Sequence, residues 1–105
     1  PKVNKKENKK LRSAIIQERS KITSPLKKAV EKLENSIMQN EELVETLHEE
    51  LIAASNQNDN SKVINLSREV TKYEKEIEEN FEELEVTQTK LDDILEEYES
   101  KLESI

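Results

Sequence analysis

From Leu26 onward, apolar residues recur at Val30, Leu33, Ile37, Val44, Leu47, Leu51 and Ala54, spaced alternately by four and three residues, with Asn40 the one polar residue on the line. A period of 3.5 residues marks a helix whose apolar seam faces a partner helix. A second series follows the same rule through Val63, Leu66, Val70, Tyr73, Ile77, Leu84, Leu91, Ile94 and Tyr98, with Asn80 and Thr87 on the line. Between them lies SNQNDNS, residues 55–61, polar throughout and too short to do anything but reverse the chain. The pattern predicts an all-α fold, an antiparallel two-helix coiled-coil hairpin with arm 1 at about 9–54, the turn at 55–61 and arm 2 at about 62–105. The chain contains no glycine. Any left-handed residue in the turn is therefore expected at Asn56, Asn58 or Asn60, because asparagine tolerates that conformation best among the remaining types. Asp59 or Ser61 can cap the second helix.

In a symmetric hairpin, facing seam residues have a constant sum of residue numbers, and here that sum is 117. Ala54 then faces Val63, Leu51 faces Leu66, Leu47 faces Val70, Val44 faces Tyr73, Leu33 faces Leu84 and Leu26 faces Leu91. Beyond Leu26 both series accept a four-residue step, pairing Ile22 with Leu95 and Ile15 with Leu102. A shared step of this kind is a stutter, which locally unwinds the supercoil without breaking the pairing. Ser24 and Pro25 sit beside it. Proline lacks a backbone donor and disfavours helical geometry in the residue before it, so a kink or break is expected at 22–25, with Ser24 able to cap a restarting helix. Residues 1–8 carry no seam and read as a basic linker. Asn40 faces Ile77 and Asn80 faces Ile37, in adjacent layers where the two amides can bond to each other. The pair reads as a register-setting device.

Composition narrows the chemistry. With no cysteine, no glycine and three aromatic residues, Tyr73, Phe81 and Tyr98, the chain lacks the parts of a thiol nucleophile, a phosphate-cradling loop or an aromatic-lined ligand pocket, so no catalytic residue is assigned. His48, the only histidine, has Glu45 as its one carboxylate neighbour a turn away, too few ligands for a metal. The paired glutamates, such as Glu41 with Glu42 and Glu96 with Glu97, read as a solvated acidic face. No apolar run is long enough to span a membrane, and the lysine-rich start lacks the core of a signal peptide, so the chain reads as cytoplasmic.

The net charge of −7 hides a split: residues 1–32 carry eleven Lys+Arg against three acids, and residues 33–105 carry six against twenty-one. Clustered lysines neutralise phosphates. Arg12 to Lys32 lie opposite residues 85–105, which hold seven acids and two lysines, and can pair across the seam. Lys2, Lys5, Lys6, Lys9 and Lys10 precede that stretch and are the candidate phosphate contacts. Ile52 and Ile64 lie off the seam near the turn, either as a clasp closing it or as a contact patch for a partner. A two-helix core is thin, on the order of 3–5 kcal/mol for small single cores, so weak self-association is expected at high concentration.

The run LRSAIIQERSKITSPLKKAVEKLENSI, with Pro25-Leu26-Lys27-Lys28 and then Leu33-Glu34, followed by an acidic helix, a polar turn, Lys62 and Leu66-Ser67, resembles the C-terminal domain of ABC-F ATP-binding cassette proteins. The likeness spans roughly Lys9 to Leu102. It implies a fragment of a cytoplasmic ATPase with two nucleotide-binding domains on the same polypeptide. ATP and Mg would belong to that parent, and this part would need no cofactor. It further implies an accessory role in contacting the ribosome or other nucleic acid beside the remainder of the ATPase. The alternative is a structural spacer or protein-docking hairpin without nucleic-acid contact. The acidic tip and acidic second helix depart from the more basic hairpins of that family.

Overall fold

The computed structural model describes residues 5–105. Two helices account for nearly all of them: α1, Lys5–Asn56, of 52 residues, and α2, Asn60–Glu103, of 44. No strand occurs among the described residues. The helices pack against each other as an antiparallel hairpin, and their contacts divide into two units. One joins α1 up to Glu31 with Glu85–Ile105, and the other is Lys32–Leu84.

In the Lys32–Leu84 unit, Leu47, Ala54, Leu66 and Val70 form a buried cluster edged by Val44, Leu51, Val63 and Tyr73. These eight residues are the four layers nearest the turn in the expected register, 54/63, 51/66, 47/70 and 44/73. Ile37 is buried further along. Each such side chain withdrawn from water contributes about 1.5–3 kcal/mol, and this burial sustains helices far longer than propensity alone would.

The turn is tighter than the polar run suggests, occupying Gln57 to Asp59. Asn58 takes the left-handed conformation, with φ 55°. Its N–H donates to the Ser55 carbonyl at 3.1 Å and the Asp59 N–H donates to the Ala54 carbonyl at 3.0 Å. This pair of bonds is a Schellman closure, with asparagine where glycine is usual. Asp59 then opens the next helix: its Oδ1 accepts from the Lys62 N–H at 3.2 Å, the bond of an N-cap. One residue thus ends α1 and starts α2.

The other unit departs from expectation in three places. First, α1 is not broken at residues 22–25; Pro25 lies inside it. The ring is on the exposed side, so the Lys21 carbonyl deprived of its usual donor is left on the solvent side, while Leu26 and Val30 pack inward. Ser24 is consequently a mid-helix residue with no cap to form. Second, the seam passes through Thr23 rather than Ile22, so the 3.5-residue period continues past Leu26 and the successive four-residue steps fall further along, from Thr23 to half-buried Arg19 and Ile15. Thr23 is 2% exposed and Ile22 is 41% exposed. The threonine hydroxyl donates to the Arg19 carbonyl at 2.8 Å, so this polar residue enters the seam already satisfied by its own helix. Third, helix begins by Lys5, so residues 5–8 of the expected linker belong to α1. Lysine and glutamate are good helix formers, and the seam's phase extends to a half-buried Asn8.

Candidate functional site

Lys5, Lys6, Lys9 and Lys10 occupy the first turns of α1, all exposed. Lys2 lies outside the described residues. Helical spacing stacks Lys5 with Lys9 and Lys6 with Lys10, four residues apart. Like charges at that spacing repel by about 0.2–0.5 kcal/mol per pair.

Among the described residues, no ion pair within 4 Å joins the cations between Lys9 and Lys32 to the facing helix. The ion pair within 4 Å among the described residues is Lys101 with Glu97 at 3.7 Å, and the His48 Nε2 lies 3.9 Å from the Glu74 carboxylate. Neither involves a cation between Lys9 and Lys32. Lys9, Lys10, Lys21, Lys27 and Lys28 all lie on exposed positions of α1, where water solvates an ammonium at no entropic cost in fixing the side chain.

Asn40 and Asn80 are both half-buried on the seam, and each bonds across it, though not to the other. The Asn40 amide donates to the Glu76 carboxylate at 3.4 Å, and the Asn80 amide donates to the Ser36 hydroxyl at 3.1 Å. Adjacent layers are offset along the axis, so each amide reaches the flanking polar side chain on the facing helix before it reaches the other asparagine. The cross-helix bonds still tie the register to polar partners.

Ile52 and Ile64 are 64% and 53% exposed. Each lines an open groove beside the turn, and the two grooves share Val63: one of about 270 Å³ is formed with Leu51, Ser55 and Asn56, the other of about 420 Å³ with Ser67, Arg68 and Thr71. A third groove, of about 270 Å³, was not anticipated: Met38 and Phe81 flank it above Ile37 and Leu84, with Glu34 and Glu41 at its edge. Both residues were visible in the sequence as apolar side chains one heptad position off the seam, yet only the packed hairpin shows that they fall on the same side.

Tyr98, the last seam residue of the second series, has surroundings that spacing alone did not give. It is 3% exposed, with the Lys101 ammonium 4.3 Å from its ring centre. Burial, then the facing Glu18 carboxylate and the nearby Glu97, raises its phenol above the ordinary value of 10.0.

Among the described residues no group of three or more His, Cys, Asp or Glu side chains is placed to hold a metal ion, and no helix is long and apolar enough to cross a membrane. The geometry defines a class only: an all-α two-helix hairpin with a cationic helix start and an acidic, partly apolar second unit. No protein-family model matches the chain, and no curated protein or solved structure is found to be similar to it.

Proposed function

We propose that the chain is a non-catalytic accessory module that contacts the phosphate backbone of ribosomal RNA or other nucleic acid through the start of α1, in the cytoplasm, as part of an ABC-F ATPase. The observation that carries this reading is the exposed lysine series on the first turns of α1, followed by a basic helix whose cations from Lys9 to Lys32 make no ion pair with α2 among the described residues. Such a surface binds phosphate without reading sequence. The acidic Lys32–Leu84 unit repels the same backbone, and this confines contact to the lysine end.

Binding of RNA or duplex DNA, followed by fluorescence anisotropy, is expected to be weak, with a dissociation constant no tighter than the ~10⁻⁴–10⁻⁶ M of non-specific binders. It should fall steeply with salt, by about 0.9 in log–log slope per phosphate contacted on duplex DNA. Changing Lys2, Lys5, Lys6, Lys9 and Lys10 to glutamine should abolish it, whereas changing Lys62 and Lys72 should leave it nearly intact. No binding at low salt, or undiminished binding by the glutamine variant, would end the nucleic-acid reading. The ABC-F parentage makes a separate demand, two nucleotide-binding domains ahead of Pro1 in the same polypeptide.

A protein-docking module is the second reading, favoured by the exposed Ile52 and Ile64 and the grooves they line. It predicts that the lysine variant retains function and that Ile52→Ser with Ile64→Ser loses it.

A further inference from the structure

Because α1 runs through Pro25 without a break, one helical phase carries from its start to Glu31. Lys10 and Lys28 are eighteen residues apart, five full turns, and Lys21 falls within about 20° of the line that joins them. Lys21 is midway between the seam residues Arg19 and Thr23, and Lys28 midway between Leu26 and Val30, so the line runs along the side of α1 turned away from Glu85–Ile105. All three lysines are exposed, and none makes an ion pair within 4 Å. The acids of this stretch, Glu7, Glu18 and Glu31, stand about 60–80° around the helix from Lys10 and Lys28. A break at residues 22–25 would have put Lys28 out of phase with the other two.

The residues between the lysines decide which polyanion fits. Along the line they are Ala14, Gln17 and Ser24, all exposed and all small or polar. Proteins that hold single strands without reading sequence stack bases on aromatic rings. None is available here, since Tyr73, Phe81 and Tyr98 all belong to α2. A helix lying on a membrane sinks an apolar face opposite its lysines, and here that opposite face is packed against Glu85–Ile105. A duplex asks for neither feature. It presents one phosphate charge per about 1.7 Å of its axis, so a fixed row of ammonium groups meets phosphates whatever the sequence.

We infer that this row, Lys10, Lys21 and Lys28, seats the sugar-phosphate backbone of a nucleic-acid duplex, RNA or DNA, in preference to a single strand. Gln17 and Ser24 place neutral donors on the same line, from which phosphate oxygens accept. The inference rests on the nucleic-acid reading above and extends its site from the first turns of α1 along the back of the helix, over about 27 Å from Lys10 to Lys28.

Fluorescence anisotropy of the full 105-residue chain with an RNA duplex, a DNA duplex and a single strand of the same mixed sequence, at several salt concentrations, tests it. Both duplexes are expected to bind about threefold or more tightly than the single strand, and the tighter of the two identifies the source of the phosphates. Lys21→Gln with Lys28→Gln should weaken duplex binding and lower its log–log salt slope by about 1.8, two contacts at about 0.9 each on DNA. Lys27→Gln with Lys62→Gln removes the same charge from positions off the line and should leave the slope unchanged. All four positions are exposed, and circular dichroism checks that each variant keeps its helices. If the glutamine variant at the start of α1 loses binding while Lys21→Gln with Lys28→Gln keeps the parent's slope, the row is overturned and the nucleic-acid reading stands. A single strand, or phosphatidylserine vesicles in a cosedimentation assay, bound as tightly as the duplexes overturns the duplex assignment. No binding to any of the three nucleic acids at low salt ends both readings.

Discussion

In Lys32–Leu84 the seam keeps its 3.5-residue period, and its two polar positions, Asn40 and Asn80, bond across to Glu76 and Ser36. In the unit made by the start of α1 and Glu85–Ile105, Thr23 holds the seam with its hydroxyl bonded within its own helix to Arg19, and the period slips just beyond it, at half-buried Arg19 and Ile15. A polar residue satisfied by the facing helix depends on alignment, because sliding the helices leaves its amide unpaired in a half-buried place. One satisfied by its own helix carries no such information and can be accepted wherever the phase requires a filler. Specificity of register is therefore expected to reside in the Lys32–Leu84 unit, where the polar seam residues are satisfied by the facing helix. The charges divide similarly. The first unit sets nine Lys+Arg and three acids between Lys5 and Glu31 against two lysines and seven acids in Glu85–Ile105, while Lys32–Leu84 is acidic on both helices.

Core truncation should give the largest effects. Leu66→Ala and Leu91→Ala each remove a side chain no more than 6% exposed, and each is expected to cost about 2–5 kcal/mol by urea denaturation. Hydrogen exchange should then locate the loss of protection mainly in the unit that holds the substitution; uniform loss from both variants would show that the two units unfold as one.

The polar layers separate the units more sharply. Asn40→Leu with Asn80→Leu should raise the melting temperature, by about 1–3 kcal/mol of added stability, while sedimentation and cross-linking reveal alternative alignments or oligomers. Thr23→Val, which keeps shape and loses only a locally bonded hydroxyl, should change stability by about 1 kcal/mol or less and leave the alignment unique. If both variants remain uniquely aligned, register is set by the apolar layers alone.

At the turn, Asn58→Gly should be neutral or stabilising and Asn58→Ala should cost about 1 kcal/mol, since only alanine meets the left-handed penalty at φ 55°. Equal melting temperatures for the two would mean that the closure rearranges at no cost.

The smallest expected effect concerns alkaline pH. The folded Tyr98 phenol lies above its ordinary value of 10.0, so folding favours the neutral form. That contribution is fully present below pH 10 and is lost as pH rises through the higher folded value. Tyr98→Phe should flatten this part of the stability profile above pH 10, whereas Tyr73→Phe in the other unit should leave it in place. Matching alkaline profiles for parent and Tyr98→Phe would remove Tyr98 from the account.

Much of this molecule follows from spacing alone. The alternation of four and three residues places the seam, the sum of 117 pairs Ala54 with Val63 and Leu47 with Val70, and the absence of glycine leaves asparagine to take the left-handed position, which Asn58 does. These features are legible because they depend on local periodicity and on the conformational limits of single residue types. Three others were settled only when the helices packed. Thr23 displaces Ile22 from the seam because a side chain bonded to its own backbone can be buried at little cost, and a hydropathy pattern scores it as polar. Pro25 stays within α1 because inward packing on either side of it offsets the lost bond, a sum over distant contacts. The grouping of Met38 with Phe81 is a property of neither helix: each reads as a stray apolar residue until antiparallel pairing brings the two borders onto one flank, since residues 43 positions apart become neighbours only through the tertiary fold.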